Sequence, residues 1–159
     1  MNRLMEERGS WVEPTHALRD HVIGLLNDAD LAFNAGGSNA TFGALIREFG
    51  EIEHAYVESF KTLKQDFSYR HPDAGIANNL EGLQTWFKQL DSDMKTTLEA
   101  FSNDDLDSKP IARAGGWDAP ISLQLDIYLQ AALIFLGKAA IYARALNKPL
   151  SSDFKDWIG

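Results

Sequence analysis

A chain of 159 residues with 45% hydrophobic and 24% charged residues has the size and composition of one soluble globular domain. Its 15 Lys and Arg against 23 Asp and Glu leave a net charge of -8 with no basic cluster, which excludes nucleic-acid backbones and anionic membranes as partners. With no cysteine, disulfides, thiolate nucleophiles and thiolate metal sites are excluded as well.

The opening segment has mixed charge and no apolar core of a secretory signal, so a cytoplasmic location is expected. A first helix is predicted over about 14–27, with Pro14 in its first turn and Leu18, Val22, Leu25 and Ala29 on one face. The loop-rich run from Asn34 to Asn39 follows. A second helix spans about 41–65, with Phe42, Leu45, Phe49, Ile52, Tyr56, Phe60 and Leu63 three and four residues apart as its buried stripe. His71-Pro72-Asp73 breaks the chain and leaves His71 exposed, and Asn78 or Asn79 caps a third helix reaching to about 101. Gly115-Gly116-Trp117 reads as a tight turn. A fourth helix covers about 120–146, opening at Pro120 with Asp118 as its cap, and Phe154 and Trp157 pack back from the tail. No strand alternation stands out. The expected architecture is all-α, a four-helix bundle with one long crossover connection.

The fourth helix is the most apolar. Between Asp126 and Lys138 it has no charge and one polar side chain, Gln130, and this uncharged run is too short to span a bilayer. Its deepest face is predicted to hold Tyr128, Ala131, Phe135 and Tyr142.

In that helix, Phe135-Leu136-Gly137-Lys138, then Tyr142-Ala143-Arg144 and Pro149, resembles the DinB-like helical bundles, whose corresponding helix carries His-x-x-x-His-x-Gly-Gln. Thr41-Phe42-Gly43-Ala44-Leu45-Ile46-Arg47 resembles the family's Thr-Leu-Gly-x-Leu-Leu opening, which a histidine follows. The resemblance runs along nearly the whole chain in helix order. It implies a divalent metal in the core and members that act as thiol transferases, isomerases or hydrolase-like enzymes. Carried over residue by residue, the two histidines of the motif fall on Ala131 and Phe135, and the third ligand falls on Glu48. Two of three positions hold no donor, whereas zinc takes three or four. No metal or other cofactor is therefore expected. If a divalent zinc, nickel or iron ion binds elsewhere, Glu48, Glu51 and His54 are the candidate ligands.

Glu51-x-x-His54 has the spacing of a di-iron half-site, but both residues point away from the apolar stripe. Glu13-x-x-His16 has the same letters at what reads as a frayed helix start. Glu53 lies inside the apolar arc of the second helix. A carboxylate there is paired, hydrogen-bonded or protonated, so Glu53 is the one candidate for acid–base chemistry. The expected ligand pocket comprises Glu48, Glu53, Tyr128, Ala131, Phe135 and Tyr142. A small-molecule ligand or a homodimer face would each use the apolar excess of the fourth helix. The expected function is a DinB-like protein without the family's metal that binds a small ligand or a partner. The alternative is a divergent metal-dependent enzyme with a relocated site.

Overall fold

The computed structural model describes residues Met1–Gly159. Four long helices, α1 (Arg3–Gly24), α3 (Phe42–Thr62), α4 (Leu80–Glu99) and α6 (Ile121–Ala145), enclose the core. Three short ones, α2 (Asp28–Leu31), α5 (Asn103–Ser108) and α7 (Ser152–Ile158), lie in the connections and the tail. α1 packs against α4 and α6, and α3 packs against the same two. So α1 faces α3 across the centre, and α4 faces α6. Two connections, α1 to α3 and α4 to α6, therefore run between opposite corners, where one crossover was expected.

Local chemistry sets most of the helix starts. The Thr41 side chain accepts from the Ala44 amide, and the Asn79 side chain accepts from that of Gly82, each satisfying an amide left free at a helix N-terminus. α1 departs from expectation, because it starts at Arg3 and carries Pro14 in its interior. Asn2 is the reason: its Oδ1 caps the Met5 amide, and its Nδ2 donates to the carbonyls of Leu98 and Phe101 at the end of α4. That anchor, with Leu4 and Val12 buried, outweighs the hydrogen bond lost at Pro14.

The segment before α6 also differs from the sequence reading. Strands β1 (Ile111–Arg113) and β2 (Trp117–Ala119) form an antiparallel hairpin across Gly115 and Gly116, both at positive φ as the turn requires. Asp118 lies in β2 and does not cap α6, which begins after Pro120 without a side-chain cap. Buried Gln124 ties the hairpin to the core by donating to Ser59 Oγ at 2.8 Å and bonding Gln65 and Arg113. In the tail Phe154 is fully buried, and Trp157 meets Trp11 edge-on at 5.5 Å. His21 of α1 accepts from the Ser151 amide at 3.0 Å.

Candidate functional site

Each of the four long helices sends a polar side chain to the centre, and together these form one cluster, buried except for a partly exposed Asp91. α1 supplies His16 and Arg19, α3 supplies Glu53, α4 supplies Asp91 and α6 supplies Tyr128. His16 and Arg19 face inward because Val12, His16, Arg19 and Ile23 are spaced four, three and four along α1 and share its buried face. The Arg19 guanidinium binds both Asp91 oxygens, at 3.0 and 2.7 Å, and Glu53 Oε2 at 2.9 Å. It also lies over the Phe87 ring, 4.4 Å from the centroid.

His16 joins the cluster on its other side. Its Nδ1 lies 2.8 Å from Asp91 Oδ1 and its Nε2 lies 2.6 Å from the Tyr128 hydroxyl. An ionised carboxylate only accepts, so Nδ1 carries a proton towards Asp91. Glu53 Oε1 has no hydrogen-bond partner, and His16 Nε2 lies 3.8 Å from it.

These contacts push the groups in opposite directions. Burial raises the Glu53 carboxyl above its ordinary range against the pull of Arg19 and His16. Asp91 is also partly desolvated, yet the bonds from His16 and Arg19 hold its carboxyl well below that range. Burial, reinforced by Glu53, raises the Tyr128 phenol. Burial alone would lower Arg19, but Glu53 and Asp91 outweigh it and keep the guanidinium charged. So the cluster holds one cation, one anion and one carboxyl whose affinity for a proton is raised by burial.

Ligand-type donors of His16, Glu53 and Asp91 all lie within 4.8 Å of one another. A divalent ion fits them poorly, because Arg19 already binds both Asp91 oxygens and Glu53 Oε2. Only Glu53 Oε1 stays free, and a metal needs three or four donors. The guanidinium occupies the cation's position.

Glu48, Ala131 and Phe135 come together elsewhere, in a surface groove between α3 and α6. One lobe, about 210 Å³, is lined by Leu45, Phe49, Ile52, Ile134 and Lys138 besides those three. A wider lobe, about 620 Å³, shares Glu48, Ile52 and Ala131 and continues past Glu51, Tyr56, Phe67 and Arg70. The Phe135 ring stacks on Phe49 at 4.4 Å and 6°, and Ala131 is half-buried on the groove wall, not on the deepest face. Neither residue offers a donor, so the positions taken from the resemblance do not fit a metal.

The remaining candidates lie apart. Glu53 and Tyr128 belong to the interior cluster. Tyr142 is buried, packs on Phe42 at 4.9 Å and donates to the Ala40 carbonyl at 2.7 Å. Glu51 accepts from Arg47 and from the His71 amide, and the His54 ring stacks on Tyr69 at 3.6 Å. Glu48 and Glu51 share the wider lobe while His54 lies apart against Tyr69, so the three do not converge on one point. His71, expected to be exposed, is half-buried against Trp86.

Sequence reasoning missed His16, Arg19 and Asp91. The signal for the first two was the Val12–Ile23 stripe, hidden by placing the helix start at Pro14; Glu13-x-x-His16 lies well inside α1, with His16 buried and Glu13 paired to Lys95 at the surface. Comparisons with protein-family models, curated proteins and solved structures returned no match to this chain.

Proposed function

We propose that this chain is a metal-independent four-helix bundle of the DinB-like type whose α3–α6 groove binds a small amphipathic molecule with a cationic head. The register of the resemblance is supported by one juxtaposition: Glu48, Ala131 and Phe135, from two helices, line the same lobe. The carrying observation for ligand binding is Glu48, which stands where the two lobes meet. Glu51 beside it is paired with Arg47 and Arg70, whereas Glu48 has no ion-pair partner. A hydrocarbon or aromatic body against Ile52, Ala131 and Phe135 places an ammonium group within reach of that carboxylate. The Tyr56 and Phe67 rings of the wider lobe favour a cation too. The net charge of -8 attracts one from a distance.

Calorimetric titration with octylamine and octanoate, which share a chain and differ in head-group charge, tests the reading. Octylamine is expected to bind with a Kd on the order of a millimolar. Glu48→Gln is expected to weaken it about three-fold, the worth of one exposed ion pair, and octanoate to bind the wild type more weakly than the amine. Equal binding of the two chains, or no effect of Glu48→Gln, overturns it.

A further inference from the structure

The outward side of α6 carries an apolar seam that nothing in the chain covers. By length and composition α6 is apolar enough to cross a membrane, yet only 44% of its most apolar window is buried. Leu123, Ile134 and Ile141 are 40%, 61% and 60% exposed. With Ile127, Gln130 and Gly137 they follow one another at steps of four, three, four, three and four, with no charged residue among them. That alternation presents one continuous strip to a second helix.

Gly137 adds an independent observation. A glycine inside a helix costs about 1 kcal/mol relative to alanine, so it calls for a reason. In α3 the reasons are internal: a Cβ on Gly43 would come within 1.8 Å of the Ala77 carbonyl oxygen, and one on Gly50 within 2.5 Å of the Trp86 ring. A Cβ on Gly137 would meet nothing within 4 Å. Nothing inside the chain requires a glycine there. It leaves a notch in the middle of the seam.

We propose that a second copy of this chain covers the seam, with the two α6 helices antiparallel and Ile134 of each seated over Gly137 of the other. A two-fold axis between positions 135 and 136 gives that pairing twice, so the surface is self-complementary as a symmetric dimer requires. The same register sets Gln130 opposite Ile141 and brings Arg144 of the other copy near Asp126, which Arg8 of its own chain already binds at 2.9 Å, so the pairing extends an existing ion pair. A parallel pair would instead face glycine with glycine and Asp126 with Asp126. A lipid surface is the poorer occupant, since the chain's charge of -8 is repelled by anionic headgroups. Ile134 also lines the groove, so the second copy would wall off its smaller lobe.

The chain's lack of cysteine makes disulfide trapping clean. Gln130→Cys/Ile141→Cys is expected to give a covalent dimer on mild oxidation, while Gln130→Cys alone stays uncrosslinked. Sedimentation equilibrium of the wild type is expected to show a dimer that tightens with salt as the charges are screened. Gly137→Glu, placed in open space, is expected to keep the helical circular dichroism and to weaken the dimer by about 100-fold. None of these three residues lines the groove, so a failure here is separate from a failure of ligand binding. Three results overturn the proposal: a monomeric wild type, crosslinking of Gln130→Cys alone as efficient as that of the pair, or a dimer indifferent to Gly137→Glu. Flotation of a monomeric wild type with phosphatidylcholine vesicles would assign the seam to lipid instead.

Discussion

Arg19 holds Glu53 through one carboxylate oxygen, at 2.9 Å, and leaves the other, Oε1, buried without a hydrogen-bond partner. A fully ionised Glu53 would carry charge on an oxygen that nothing solvates, which is why burial raises its affinity for a proton.

Glu53→Gln keeps the shape and removes the titration, so comparing it with the wild type isolates this group. The folded carboxyl binds its proton more tightly than the unfolded one. Its stabilising contribution is therefore complete below the unfolded pKa, about 4.3 for glutamate, and is lost as pH rises through the raised folded value. Urea unfolding from acid to neutral pH is expected to show the wild type losing stability relative to Glu53→Gln across that window, with a slope of up to about 1.4 kcal/mol per pH unit. A difference independent of pH would mean that Glu53 is ionised throughout.

Removing the cation from the cluster is expected to be far more damaging than neutralising Glu53. Arg19→Met leaves Asp91 and Glu53 facing each other and is expected to cost about 3–5 kcal/mol in urea unfolding at pH 7. Adding Glu53→Gln and Asp91→Asn to Arg19→Met is expected to recover much of that loss, because the one carboxylate left without Arg19 is then Asp20, which is half exposed and solvated. Arg19→Lys is expected to recover little, since an ammonium cannot bridge both Asp91 oxygens and Glu53 at once.

The groove permits a test of ancestry. If Glu48, Ala131 and Phe135 stand where the resemblance puts metal ligands, Glu48→His/Ala131→His/Phe135→His brings three imidazoles to one lobe. That variant is expected to gain thermal stability on adding zinc, while the wild type does not. It starts less stable by about 3 kcal/mol because the Phe49–Phe135 stack is lost. A folded variant that ignores zinc would contradict the register.

The parts of the fold legible in the sequence were those with a strong local signal. The α3 stripe from Phe42 to Phe60 and the Asn79 cap needed no tertiary knowledge. The true start of α1 depends on Asn2 reaching the end of α4, a contact across 96 residues that no local pattern encodes. The deep face of α6 holds Tyr128, Phe135 and Tyr142, as the spacing predicts, but not Ala131. A helix that is apolar almost all round gives periodicity little to work with. Glu53 was legible as a buried carboxylate because it broke an apolar arc. Its partners were not, because His16 and Arg19 are polar residues whose inward direction shows only when α1 is extended back to Val12.

We propose that the Arg19 guanidinium supplies the interior cation and that the helices hold together without a metal. Metal analysis of protein purified without chelator, with thermal melts before and after EDTA, tests it most directly. Transition metal far below one ion per chain and an unchanged Tm are the predicted result. About one ion per chain, with a large fall in Tm on chelation, would contradict it.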